Sequence, residues 1–142
     1  MPSMQAKIQW INKAHFIASA DSGHEIPLDG APEAGEKSRG CRPMELVLMG
    51  LGGCTSFDVV NILAKSRQNV VDCVTEITAE RATEIPHVFK SIHITFKVSG
   101  KDLNETKVAR AASLSAEKYC SASIMLERGG VKITHDYEII EV

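Results

Sequence analysis

The chain carries four cysteines, and the surroundings of Cys54 are unusual for a helix. The sequence GLGGCTSF places Gly52 and Gly53 directly before this thiol, although each glycine costs an α-helix about 1 kcal/mol relative to alanine. The glycines predict a local break or a close approach by another chain segment. Either would let a small molecule reach the sulfur, whose thiolate is a nucleophile. Alternatively, the glycines permit tight packing around a thiol that is simply buried.

Cys120 is the second candidate for redox chemistry, because it stands where a predicted helix gives way to the sequence SASIML. A side chain at such a junction can point into a cleft, and the backbone there can move. A disulfide needs Cα atoms within about 7 Å, so only the fold decides whether the two sulfurs meet. No role is assigned to Cys41 or Cys73. The cysteines form no CxxC pair and no spacing typical of zinc, so the sequence predicts no metal site and no disulfide framework.

Length and charge limit the classes of protein that need considering. A chain of 142 residues can close one hydrophobic core, and we expect a single domain over residues 1–142. A formal net charge of −2 gives no broad field to attract nucleic acid or an anionic membrane, and we expect neither partner. The N-terminal sequence MPSMQAKIQW lacks the apolar core of a secretory signal. We therefore expect a cytoplasmic protein with reduced thiols.

The hydrophobic periodicity predicts an α+β domain. Pro43 suits the first position of a helix, where its missing N–H has no helical partner. Asp102 with Glu105 three residues later resembles a capping box and predicts the start of a second helix. The predicted order is a strand meander at 5–28, an exposed loop at 29–42, a helix at 43–66, a strand pair at 69–99, a helix at 103–118 and a closing strand at 131–141.

The first predicted helix is apolar around most of its circumference, which is typical of a helix buried on most sides. A monomer of this length can hardly surround such a helix. We therefore hypothesise that a second subunit supplies part of its surroundings.

The sequence RPMELVLMGLGGCTSFDVV, followed by AEKYCSASIML, resembles the two cysteine motifs of the OsmC/Ohr family, the osmotically inducible protein C and organic hydroperoxide resistance proteins, in its YhfA-like branch. The element order over essentially the whole chain agrees. The resemblance implies an intertwined homodimer, in which antiparallel strands wrap around two long central helices. It places two active sites at the subunit interface.

The resemblance also implies a cysteine-based peroxidase that reduces organic hydroperoxides. Cys54 matches the peroxidatic cysteine, whose thiolate attacks the O–O bond and becomes a sulfenic acid. Cys120 matches the resolving cysteine, which condenses with it to a disulfide that an external dithiol reduces. No metal or bound cofactor is required. An apolar substrate pocket is expected, with candidate lining residues Met44, Met49, Leu51, Phe57 and Met125.

The chain departs from the family pattern at two polar positions. Met44 stands where family peroxidases carry a glutamate, and Glu45, one position later, is turned about 100° away on a helix. The family arginine of the N-terminal strands is also missing, and Arg42 is the better of the candidates to replace it as thiolate stabiliser. Without a cation a thiol keeps a pKa of about 8.5, so we expect a weaker peroxidase than Arg-containing relatives.

Two rival functions remain open at this point. In one, the dimer is a binding module that encloses an apolar ligand, and the cysteines only line its cleft. In the other, the cysteines form a thiol redox sensor without turnover. Met44 and the missing arginine favour the binding module, whereas the Cys54/Cys120 pair favours the enzyme.

Overall fold

The computed structural model describes residues 3–31 and 35–142, so positions 32–34 of the predicted loop 29–42 lie outside the described residues. The chain divides into two compact units, residues 1–47 and 48–142, and the boundary falls inside a helix. Each unit is described by itself.

The N-terminal unit contains a three-stranded antiparallel sheet in the order β1-β2-β3. Its strands are β1 (Ala6–Asn12), β2 (His15–Ala20) and β3 (Glu25–Leu28). Lys13 and Gly23 take positive φ values of 47° and 86° in the two turns, the left-handed conformation that tight hairpin turns require. The predicted meander thus folds as two consecutive hairpins.

Helix α1 (Pro43–Lys65) begins at the predicted proline and is continuous through the glycine pair. One narrow stripe is fully buried, with a residue at every fourth position: Leu51, Thr55, Val59 and Leu63. The opposite face is apolar but open, and the side chain of Phe57 is 71% exposed. By length and composition alone α1 could cross a membrane, a criterion that the core helices of soluble proteins also meet. In one chain, therefore, α1 is covered along only part of its circumference.

The second unit is built on a sheet in the order β4-β5-β6, formed by β4 (Asn69–Arg81), β5 (Phe89–Lys101) and β6 (Lys132–Glu141). The central strand β5 alternates as its sequence predicts, and its inward side chains are fully or almost fully buried: Ile92, Ile94, Phe96 and Val98. β4 pairs with β5 in an antiparallel hairpin. The helical segments that follow β5 in the chain pack against this sheet.

The resemblance led us to expect antiparallel strands, and the last strand corrects that expectation because β6 runs parallel to β5. The chain between them forms α2 (Glu105–Leu114), a five-residue π-helix (Ser115–Tyr119) and α3 (Ser121–Arg128). Such a helical crossover returns the chain to the end of the sheet where β5 began, which makes the next strand parallel.

The second predicted helix, 103–118, corresponds to α2 and the π-helix that continues it from Ser115 to Tyr119, and its start needs correction because α2 begins at Glu105. Its N-cap is Asn104, whose side chain accepts a hydrogen bond from the Lys107 backbone N–H at 3.0 Å. Asp102 has a positive φ of 52°, whereas an N-cap residue requires extended backbone. Helix α3 was not predicted. The structure is thus an α+β fold with two sheets, one long helix and two short ones.

Candidate active site

Cys54 lies in the interior of α1 and its side chain is partly exposed. Of the two alternatives expected at the glycines, the break is wrong, because α1 is helical throughout this segment, and the close approach is confirmed at Gly52. A Cβ added to Gly52 would lie 3.0 Å from Cδ1 of Ile77 on β4, so this glycine lets α1 pack closely on the sheet. A Cβ on Gly53 would meet no atom within 4 Å among the residues that the structure describes. The two adjacent glycines therefore face different surroundings.

Cys120 occupies the junction between the π-helix and α3 and is fully buried. Its backbone is extended, with φ −76° and ψ 109°, as is usual for a residue that precedes a helix. Its Sγ accepts a hydrogen bond from the Ser123 backbone N–H at 3.4 Å. The sulfur therefore serves as the N-terminal cap of α3, and this bond fixes its direction.

The fold brings Cys54 and Cys120 together from distant positions in the sequence. Both Sγ atoms and a carboxylate oxygen of Asp58 lie within 4.8 Å of one another. Cys54 and Asp58 are four residues apart on α1 and so share one face of the helix. Cys120 lies in the crossover between β5 and β6. We call these three residues the dithiol cluster. Both cysteines are free thiols.

The thiol of Cys120 resists ionisation. Burial, followed by the hydrogen bond to Cys54 and the charge of that residue, raises the pKa of Cys120 to about 12, although the backbone N–H groups of Ser123 and Ala122 act in the opposite direction. Cys120 is therefore a protonated thiol at neutral pH, and burial outweighs the stabilisation that a helix N-terminus offers an anion. Cys54, the more exposed sulfur, is the one available as a nucleophile.

Ser115 holds the crossover against α1 beside the dithiol cluster. Its buried hydroxyl donates to the Thr55 carbonyl at 2.9 Å, and its Oγ lies 3.4 Å from Oδ2 of Asp58. The same side chain thus contacts the backbone of α1 and the carboxylate of the cluster. Ser115 was missed in the sequence, where a serine within a helix carries no distinguishing signal. Asp58 did carry a signal, its four-residue spacing from Cys54.

The predicted polar partners Arg42 and Glu45 belong to the N-terminal unit. Glu45 Oε1 accepts a hydrogen bond from the Arg42 backbone N–H at 2.8 Å, at the point where α1 begins. A glutamate at the third helical position that bonds back to the N-cap residue forms half of a capping box. This contact gives Glu45 a structural role that the sequence interpretation did not consider. Arg42 is exposed.

The predicted pocket residues lie in different environments. Leu51 is fully buried in the core stripe of α1, and Met44 is partly buried. Met49, Phe57 and Met125 are exposed. Met49 and Phe57 line two adjoining apolar grooves on the open face of α1, of about 390 and 460 Å³, which share Gly53 and Ser56.

A wider cleft of about 730 Å³ opens beside the dithiol cluster, and Asp58 forms part of its wall. Its lining includes three cations, Lys65, Lys107 and Arg110. Lys107 Nζ donates to the Ser66 carbonyl at 3.4 Å. The cleft gives solvent a route to the carboxylate side of the cluster.

The other two cysteines do not belong to the cluster. Cys73 is half-buried on β4, and burial raises the pKa of its thiol. Cys41 lies in the N-terminal unit, where it forms an isolated bridge with Leu28. Of the four cysteines, Cys54 and Cys120 are the two whose sulfurs lie close together.

The fold and the site define an α+β protein with a closely spaced pair of thiols, one buried and one accessible. The family model described as OsmC-like protein matches residues 35–136. Protein YhfA of Escherichia coli K12 is 49% identical over 137 residues, which cover 96% of this chain and 98% of YhfA. The chain therefore belongs to the OsmC-like family.

Solved structures agree with this assignment. A hypothetical protein from Aquifex aeolicus is 28% identical and superposes with a TM-score of 0.82, covering 98% of each chain. The organic hydroperoxide resistance protein OhrB of Bacillus subtilis shares the fold at 17% identity, with a TM-score of 0.65 and coverage of 96% of this chain and 98% of OhrB.

Proposed function

We propose that this protein is a thiol peroxidase that reduces organic hydroperoxides through Cys54 and Cys120. The observation that carries the proposal is the dithiol cluster, in which a buried protonated thiol lies within 4.8 Å of a partly exposed one. Membership of the OsmC-like family supports it, since the family has structural relatives named for organic hydroperoxide resistance.

The proposed reaction begins with the Cys54 thiolate. It attacks one oxygen of the hydroperoxide, the O–O bond breaks, and the other oxygen leaves as an alcohol after taking up a proton. The product at Cys54 is a sulfenic acid. Cys120 then loses its proton and attacks the sulfenic sulfur, which forms the disulfide and releases water. An external dithiol reduces the disulfide and restores both thiols. This cycle needs a reducing compartment, so we place the protein in the cytoplasm.

Disulfide formation requires only local movement. The two Sγ atoms lie within 4.8 Å and must approach to about 2.0 Å. Cys120 stands in extended backbone between two helical segments, where changes in φ and ψ can move the sulfur without displacing a strand. The π-helix before it is a feature often found at functional sites.

We also propose that the protein is a homodimer in which a second chain covers the open face of α1. The face exposes Met49, Phe57 and Val60, and the two apolar grooves run beside them. Contiguous exposed apolar surface of this kind is typical of protein interfaces.

The test of the peroxidase is to add an organic hydroperoxide to the reduced protein and to map the products by mass spectrometry. We expect a Cys54–Cys120 disulfide in the wild type, a trappable sulfenic acid at Cys54 in Cys120→Ser, and no reaction in Cys54→Ser. Cys73→Ser is the matched control and should form the same disulfide as the wild type. Unmodified Cys54 in the wild type would contradict the proposal and favour a binding module that uses the apolar grooves.

A thiol redox sensor is the second candidate, and the position of Asp58 favours it. A carboxylate close to Cys54 repels a thiolate, so oxidation would be slow. The two functions separate when a dithiol is added with excess hydroperoxide. Continuous loss of hydroperoxide indicates an enzyme. Consumption of one hydroperoxide per chain, with no further loss although the dithiol is present, indicates a sensor.

A further inference from the structure

We infer that Cys54, Asp58 and Cys120 form a binding site for a soft divalent cation of the zinc class. The three side chains offer two sulfurs and one carboxylate oxygen, all within 4.8 Å of one another. The cysteine spacing in the sequence did not predict this site, because its ligands come from α1 and from the crossover rather than from one local motif.

The distances suit a tetrahedral ion. Zinc binds sulfur at about 2.3 Å and carboxylate oxygen at about 2.0–2.2 Å, which separates the ligand atoms of a tetrahedron by about 3.5–3.8 Å. Side-chain movements of about 1 Å therefore complete the geometry, less than the movement that a disulfide requires. Two thiolates and one carboxylate leave the fourth position to water.

The ligand types select the metal. Thiolate ligands favour zinc and other soft ions, whereas magnesium and calcium prefer sites made of oxygen atoms alone. Binding replaces the two thiol protons, which are released to solvent, and two Zn–S bonds and one Zn–O bond form. No oxidation or reduction is involved.

The surroundings of the ligands support the site. Ser115 Oγ lies 3.4 Å from Asp58 Oδ2, and the Ser123 backbone N–H donates to Cys120 Sγ at 3.4 Å. Cys120 is thus oriented by a hydrogen bond from a second layer of groups, as metal ligands in proteins usually are, and the Ser115 side chain lies against the carboxylate of Asp58.

Charge favours a cation at the same place. Asp58 forms no salt bridge with a lysine, arginine or histidine within residues 3–31 and 35–142. Its carboxylate therefore lies next to two sulfurs without a cationic partner in direct contact. A dication bound between the three groups would neutralise this charge.

A bound ion would occupy both sulfurs and block their reaction with hydroperoxide. Metal binding itself does not depend on the peroxidase proposal, whereas this inhibition rests on it. The ion is thus an inhibitor and a protecting group for the thiols, and the proposed catalytic cycle runs without it.

The test is a titration of the full chain, reduced with a phosphine under anaerobic conditions, with Zn²⁺ in competition with a chromophoric chelator. We expect one ion per chain. Cys54→Ser, Cys120→Ser and Asp58→Asn should each weaken binding more than Ser115→Ala, for which we expect a loss of about 10- to 100-fold. Cys73→Ser and Cys41→Ser are the controls and should keep the wild-type affinity.

Substitution with Co²⁺ gives a second readout, because tetrahedral thiolate ligation produces sulfur-to-cobalt charge-transfer bands and strong visible absorption. Absence of one-to-one Zn²⁺ binding, absence of these bands, or unchanged affinity in Asp58→Asn would each overturn the site. The hydroperoxide assay on metal-free protein is independent of these results, so failure of the metal site and failure of the peroxidase can be told apart.

Discussion

The hydroxyl of Ser115 donates a buried hydrogen bond to the carbonyl of Thr55 at 2.9 Å, across 60 positions of sequence. This contact joins the π-helix, which directly precedes Cys120, to Thr55, the residue after Cys54 in α1. The position of one sulfur relative to the other therefore depends on a residue that takes no part in the redox chemistry.

Replacing Ser115 with alanine should lower the free energy of unfolding by about 1 kcal/mol, the usual net contribution of one hydrogen bond. Urea unfolding measures the effect as a lower midpoint with an unchanged m-value. Ser121→Ala, at an exposed serine, is the matched control and should leave the midpoint within error of the wild type. An unchanged midpoint in Ser115→Ala would mean that the contact contributes nothing to stability.

The buried thiol of Cys120 should make the protein lose stability at high pH. Its pKa rises from the ordinary value of 9.0 to about 12 in the folded chain. Below pH 9 both states hold the proton, and stability is unaffected. As pH rises further, the unfolded state loses this proton first, so the free energy of unfolding falls by up to about 1.4 kcal/mol per pH unit until the folded thiol also ionises.

Urea unfolding of reduced protein between about pH 8 and about pH 11 tests this expectation, because the thiol of the unfolded chain ionises within this range while the folded thiol stays protonated. Cys120→Ala should show a shallower loss of stability than the wild type, since it lacks the titrating group. Cys41→Ala serves as the control and should follow the wild-type slope. Parallel slopes in all three proteins would show that burial of Cys120 does not shift its ionisation.

Replacing Asp58 with asparagine should speed the reaction of Cys54 with an alkylating agent at neutral pH. The amide keeps the size of the side chain and removes a negative charge that repels the thiolate. The predicted direction is therefore a faster rate in Asp58→Asn than in the wild type. Quantitative mass spectrometry of the Cys54 peptide gives the rate, and the Cys41 peptide of the same sample is the internal control. An equal or slower rate would show that Asp58 does not act on Cys54 through its charge.

Glu45 should matter for stability and not for peroxide chemistry, because its carboxylate accepts a hydrogen bond from the N-cap residue of α1. Glu45→Ala should lower the free energy of unfolding by about 1 kcal/mol, as loss of a helix cap usually does. Glu45→Gln retains an acceptor oxygen and should keep both stability and the rate of Cys54 oxidation. A selective loss of oxidation rate in Glu45→Gln would instead assign this carboxylate to the catalytic chemistry.

Replacing Phe57 with aspartate should dissociate the proposed dimer. The ring is 71% exposed in one chain, on the apolar face of α1, and a second chain packed there would have to bury the new charge without a partner. Analytical ultracentrifugation measures the change in mass. Ile85→Asp, which replaces another large apolar side chain that is 88% exposed, is the control and should remain dimeric. A monomeric wild type would remove the dimer from the proposal.

The features that local chemistry dictates could be predicted from the sequence. Pro43 marks the start of α1, and the alternation of Ile92, Ile94, Phe96 and Val98 gives the central strand. Helix α3 escaped prediction because it has only 8 residues and its cap is a cysteine, which is not among the residues that usually begin helices.

Only some of the residues of the site could be predicted from the sequence. The four-residue spacing of Cys54 and Asp58 indicates a shared helix face, and that relationship is local. The approach of Cys120 depends on the parallel placement of β6, on the crossover that this requires, and on the hydrogen bond of Ser115. These are long-range relationships, and the spacing of residues along the chain does not indicate them.

The sulfur of Cys120 also caps α3, and this double use has a consequence beyond the thiols themselves. A disulfide sulfur must turn toward its partner, so the Ser123 amide loses the acceptor that it has in the reduced chain. Oxidation would then fray the first turn of a short helix, and the amide of Ser123 would exchange its hydrogen with solvent faster. Oxidation of the buried Cys120 sulfur would thereby change the structure of α3, and another protein could recognise that change without entering the site.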